Sequence, residues 1–175
     1  MAATSEHEPP GGTPWFDPAV FIATCGGLGR IPFAPGTFGA ALGVAASVAL
    51  ASSGISATAE AAIVIAINLV GIPICTSAAR RLGRGEDPGA INYDEMASAM
   101  LGLLVLPAAT RASLPAALPL LAVAFVLHRA FDVAKPFPCR QLEHLPEGLG
   151  IMADDAGAAL WMAVILIGCR QAGWL

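Results

Sequence analysis

Five apolar segments, at roughly residues 38–52, 57–76, 96–109, 114–127 and 156–169, leave this chain little choice but to form helices. None alternates with the period of two that a half-buried strand requires, and Ala, Leu and Gly dominate them. The second segment, about twenty residues long, has the length of a membrane span. The other four hold closer to fourteen apolar residues, or ~21 Å at 1.5 Å per residue. That is short of a ~30 Å hydrocarbon core and is equally a length for buried core helices. The expected fold is therefore all-α, a multi-helix bundle integral to a membrane or associated with one. A soluble bundle with an apolar lipid-binding face is the other form this pattern allows.

At 175 residues the chain has the size of one domain. The opening stretch, residues 1–14, lacks both a basic region and an apolar run, so it reads as a flexible tail and not as a signal peptide. Residues 15–175 are then a single helical domain. Apolar residues make up 56% of the chain and charged ones 13%, against roughly 45–50% and about 25% in ordinary globular proteins. A net charge of -4 argues against a nucleic-acid partner, which demands clustered Lys and Arg. The four cysteines, Cys25, Cys75, Cys139 and Cys169, show no metal-ligand or redox spacing and read as free thiols.

Charge placement favours the membrane. If the five segments cross a bilayer in turn, Arg30, Arg80, Arg81, Arg84, Arg129, Lys135 and Arg140 share one side, and only Arg111 and Arg170 lie opposite. An excess of Lys and Arg marks the cytoplasmic face. The same threading carries the Pro-Gly loop at 30–39, Asp94 and Glu95, Asp132 and Lys135, and Asp154 and Asp155 to that face. Arg80, Arg81 and Arg84 would anchor a loop to anionic head groups.

Each acidic pair has a structural explanation to set beside a chemical one. Asn92 and Glu95 form a capping-box-like pattern, and acidic residues in a first turn favour the helix dipole. Asp154 and Asp155 precede an apolar run, where a cap uses one Asp well but hardly two. Asp132 is harder to explain structurally. It sits just before the helix stop imposed by Pro136, where a carboxylate opposes the dipole, and an i,i+3 pair with Lys135 is worth only a few tenths of a kcal/mol. Together the five acids form a hard-oxygen set suited to Mg²⁺ with substrate phosphate completing the shell. Arg129, Lys135 and Arg30 could hold the phosphate. Thr37, read as the N-cap of the helix that follows Pro35-Gly36, would present backbone N–H groups to the same anion. His128 reads as a helix-end residue that favours the dipole.

Four segments of the chain, RIPFAPGTFGA, NYDEMASAM, HRAFDVAKPFP and GLGIMADDAGAAL, resemble in order and spacing the signature segments of the bacterial phosphatidylglycerophosphatase A family. The resemblance spans about Gly26 to Gly157. Met96, Ser98 and the Glu147-Gly148-Leu149 stretch depart from the family pattern, while the acids are kept. It implies a Mg²⁺-dependent enzyme of the inner membrane that converts phosphatidylglycerophosphate to phosphatidylglycerol, with a glycerophospholipid as its partner. It further implies metal-binding and catalytic roles among Asp94, Glu95, Asp132, Asp154 and Asp155, with Lys135 near the phosphate. Water or one Asp would be the nucleophile. Two other functions fit the residues alone. A small transporter would place acids at mid-membrane, for instance Glu60 or Asn68 acting with Asp132. A non-catalytic lipid-binding subunit would use its carboxylates as caps and ion pairs. The sequence leaves the oligomeric state open.

Overall fold

The computed structural model describes residues 16–83 and 89–173. The tail read at 1–14 lies outside them, as do Trp15, Arg84 and Trp174. Among the described residues the protein is all helical: α1 (Pro18–Ala23), a 3-10 turn (Leu28–Arg30), α2 (Pro35–Ser52), α3 (Ala57–Leu82), α4 (Tyr93–Leu103), α5 (Ala108–Ala112), α6 (Leu118–Ala134), α7 (Cys139–Leu142) and α8 (Gly148–Gln171).

Local chemistry accounts for several boundaries. Asp17 caps α1, its Oδ1 accepting from Ala19 N at 2.9 Å, with Pro18 in the first turn where its missing N–H costs nothing. Ser56 caps α3, which ends on Gly83 in the left-handed conformation. Pro136 stops α6, and the chain turns at Lys135, also left-handed.

The five expected segments are present with altered limits. α8 begins at Gly148, eight residues before the expected start, because GLGIMADD continues the helix instead of capping it. Asp154 and Asp155 therefore lie beyond its first turn, where the dipole has faded, and neither is a cap. Thr37 lies inside the first turn of α2, whose N-cap position is Ala34. Asn92 does hold the N-cap position of α4, yet its side chain makes no capping hydrogen bond.

The third segment is the largest departure. α4 has 11 residues, ~16 Å of helix, half of what a bilayer crossing needs. It is the centre of the bundle, with Ala97, Ser98 and Ala99 sealed between α2, α3 and α8. α2 reaches it at backbone distance. A Cβ on Gly39 would fall 2.4 Å from the Asn92 carbonyl oxygen, and one on Gly43 would fall 2.3 Å from that of Met96. Small residues at such a stripe are what lets two helices approach this closely.

Three helices, α2, α3 and α8, are long and apolar enough to cross a membrane. Outward-facing Leu69, Val126 and Leu160 are each about 61–62% exposed, a surface suited to lipid. The described cysteines are all free thiols.

Arg111 and Glu60, distant in sequence, meet in the interior at 1% and 3% exposure. Arg111 Nη1 donates to Glu60 Oε1 at 2.6 Å and to Ser47 Oγ at 2.8 Å, while its Nε donates to the Leu106 carbonyl at 3.1 Å. The pair ties α2, α3 and α5 together. Removing one partner of such a pair costs far more than removing both. Arg111→Met should destabilise the detergent-purified protein by about 3–5 kcal/mol. The double change Glu60→Leu with Arg111→Met should recover most of that loss, read from the two Tm values.

Candidate active site

At the end of the bundle opposite the Glu60–Arg111 pair, the starts of α2 and α4, the end of α6 and the second turn of α8 surround a cleft of about 210 Å³. Its wall includes Asp94, Glu95, Arg129, Asp132, Lys135, Asp154 and Asp155. Residues as far apart as Pro35 and Asp155 thus share one site. Ala34 and Lys135 both border it with φ near +45°, a conformation uncommon for residues with a Cβ. Backbone of this kind tends to collect at functional sites.

The acids divide into two groups with different partners. Asp94, Glu95 and Asp155 each offer a carboxylate oxygen within 4.8 Å of the others, so residues from α4 and α8, far apart in sequence, meet in one cluster. Glu95 Oε2 and Asp155 Oδ2 are buried and accept no hydrogen bond from the described residues. Asp154 instead faces a cation, and Asp132 faces both a cation and Asp155. Arg129 pairs with Asp132 one turn along α6, and its Nη1 reaches Glu95 Oε1 at 3.4 Å. Lys135 Nζ lies 2.8 Å from Asp154 Oδ2 and 3.1 Å from Glu143 Oε1.

The Asp132–Lys135 ion pair, the structural explanation weighed for Asp132, gives way to Arg129–Asp132 and Lys135–Asp154 pairs. The left-handed turn at Lys135 swings its side chain away from α6 and over α8. Asp154 and Asp155, one residue apart, project about 100° apart round a helix, which is how one meets the lysine and the other the cluster.

Electrostatics follow from this packing. Burial, with Asp132 adding to it, pushes the Glu95 carboxyl up to about 7, although Arg129 pulls the other way. Burial alone would lower Lys135, but Asp154 and Glu143 outweigh it and hold its ammonium above the usual lysine range.

Arg30 and Thr37 are not among the residues lining the cleft. Arg80 and Arg81 are held in ion pairs with Glu147 and Asp17. His128 is 1% exposed, and its Nε2 lies 2.9 Å from Ser98 Oγ, so it is an interior residue rather than a helix-end cation. Neither polar residue named for a transport path joins Asp132. Glu60 is locked to Arg111, and Asn68 Nδ2 donates to the Val64 and Ala97 carbonyls. Sequence reasoning missed Glu143 and Gly36. Glu143 left no local signal. Gly36 did, since it opens the glycine series 36, 39, 43 that marks one face of α2.

Three comparisons bear on identity. The profile of the family described as phosphatidylglycerophosphatase A matches residues 21–170. A protein of Bacteroides thetaiotaomicron named "Putative phosphatidylinositol-3-phosphatase" is 34% identical over 157 residues, covering 86% of this chain and 92% of that relative. A Haemophilus influenzae protein named phosphatidylglycerophosphatase A is 31% identical over 151 residues, covering 86% of this chain and 87% of its own. No solved structure matches. An all-helical bundle with span-length apolar helices and this match along nearly its whole length defines a lipid phosphatase, a phosphoric monoester hydrolase. The chain belongs to the phosphatidylglycerophosphatase A family.

Gly36 gives the site a sensitive test. A Cβ there would sit 1.8 Å from Glu95 Oε1 and 3.0 Å from Arg129 Nη1, so both side chains must move. Gly36→Ala should lower phosphate release by about tenfold or more, or ~1.4 kcal/mol in the barrier, with the helical circular dichroism retained. Gly168→Ala, on open surface, is the matched control and should leave the rate unchanged.

Proposed function

We propose that this protein hydrolyses phosphatidylglycerophosphate to phosphatidylglycerol and inorganic phosphate with Mg²⁺ held by Asp94, Glu95 and Asp155, at the cytoplasmic face of the inner membrane. The observation that carries the reading is the three-carboxylate cluster in a cleft that also holds Arg129 and Lys135. The donors fit the cation. They are all hard oxygens, they are mutually repulsive when ionised, and two of their buried oxygens lack a hydrogen bond that the protein could have provided. Mg²⁺ held by that cluster would supply the positive charge that polarises the phosphoryl group.

The protein's own groups supply the rest. Arg129 presents a planar fork and Lys135 a point charge to the phosphate oxygens, each exchanging part of its carboxylate pairing for the substrate. Positioning and charge neutralisation of this kind dominate phosphoryl transfer. The Asp132 carboxylate, oriented by its pairing with Arg129, accepts a proton from the attacking water. A bond forms from the water oxygen to phosphorus, the ester P–O bond breaks, and the proton taken up by Asp132 passes to the departing glycerol oxygen. Asp154 positions Lys135 and touches no reacting atom. Arg80 and Arg81 lie in the last turn of α3, and Arg129 and Lys135 line the cleft itself, which supports a cytoplasmic site under the positive-inside rule.

Phosphate release from phosphatidylglycerophosphate in mixed micelles is the test. Excess EDTA should abolish it, and Mg²⁺ should restore it. Asp155→Asn should cost at least about 10²-fold, the scale of one lost catalytic group. Full activity of Asp155→Asn, or indifference to EDTA, overturns the metal cluster. Faster turnover of phosphatidylinositol 3-phosphate overturns the substrate while leaving the phosphatase chemistry standing.

A further inference from the structure

A second cavity, of about 480 Å³ and lined by apolar side chains, lies between α2 and α6 on the lipid-facing side of the bundle. Its size is that of a small-molecule pocket. Its position relative to the active site is the informative feature. On α6 the cavity wall is Leu118, Leu121, Ala122 and Phe125. Continuing the same three-and-four spacing upward gives Arg129 and then Asp132, both in the cleft wall. Residues so spaced fall on one helix face. α6 therefore bears one stripe, apolar along its length and charged at its end.

α2 matches it. Ala41, Val44, Ala45 and Val48 line the cavity, and Pro35 and Gly36, at the start of the same helix, line the cleft. Groove and active site thus lie one after the other along the same two helices. The groove's small residues, Ala41, Ala45 and Ala122, are what leaves it hollow.

The dimensions suit a single occupant. From Arg129 to Leu118 is eleven residues, or ~16 Å of helix. One leaflet of a ~30 Å hydrocarbon core is about that deep. We propose that the α2–α6 groove holds one acyl chain of the substrate lipid, so that the chain's seat fixes how far below the cleft the glycerol phosphate hangs. A phosphomonoester lipid has this shape: a dianionic head, a short polar linker and a hydrocarbon tail leaving in one direction. The inference deepens the lipid-phosphatase reading and rests on it.

Filling the groove tests it. Ala45→Phe and, separately, Ala122→Phe are compared with the unaltered protein on dioctanoyl and dioleoyl phosphatidylglycerophosphate in the same detergent. The ratio of kcat/KM for the long-chain over the short-chain lipid should fall at least about tenfold, since the lost methylene contacts are each worth a measurable factor. The loss should appear mainly in KM, because the chain binds alike in ground and transition states. Short-chain turnover by the variants reports that they are folded. Should both variants lose both activities, a phosphatidylglycerophosphate analogue with a mid-chain diazirine is photolysed on the unaltered protein. Labelling at Val44, Val48 or Leu121 supports the groove, and labelling confined to α3 or α8 overturns it. An unchanged chain-length ratio in active variants also overturns it. Absence of phosphate release from both lipids by the unaltered protein sinks the phosphatase reading itself, and the groove assignment with it.

Discussion

The cost of gathering like charge inside an apolar bundle governs this structure. Five carboxylates and two cations line a cleft of about 210 Å³, and Asp154 and Asp155 are each no more than 7% exposed. Acids in such surroundings repel one another and lose hydration, so they persist only where cations and fixed geometry hold them. Arg129 and Lys135 supply the cations, each bridging two acids. The elevated Glu95 carboxyl records first its burial and then the neighbouring Asp132 charge. The glycines of α2, the stop at Pro136 and the left-handed turn at Lys135 are best understood as means of bringing those groups to one place.

The bundle is anchored at both ends by polar contacts of different character. Far from the cleft, Glu60 and Arg111 are almost fully enclosed and satisfied by one another and by Ser47, an arrangement that fixes helix register and leaves nothing to bind. At the cleft end, satisfaction is incomplete, with buried oxygens of Glu95 and Asp155 left over. Between the two ends α4 is too short to be a span, and the close backbone approach of Gly39 and Gly43 holds its first turn against α2. A closed polar pair fixes how helices meet; an open one is where chemistry has room.

Much of this was legible in the residues. Apolar segments without two-residue alternation predict helices, and helices are what form. The acids and their neighbours in HRAFDVAKP and GIMADD carried the family resemblance. Where the reading went astray, the cause was context. Asp154 and Asp155 look like helix-opening residues because an apolar run follows them, yet GLGIM ahead of them is helical once it packs against α3 and α7. Lys135 looks like the i,i+3 partner of Asp132, and only the backbone reversal at that residue sends it elsewhere. His128 looks like a helix-end cation because its burial depends on α4, thirty residues away in sequence.

The sequence by itself determined the helical class, the apolar surface and the inventory of acids, because periodicity and composition act through neighbours a few residues apart. Which acids face one another, and which are bound to a lysine or an arginine, was decided only when four helices met at one end of the bundle. Charge interactions fall off with distance in space and are indifferent to distance along the chain. For that reason Asp94, Glu95 and Asp155 became a cluster, and Asp154, adjacent to one of them in sequence, did not.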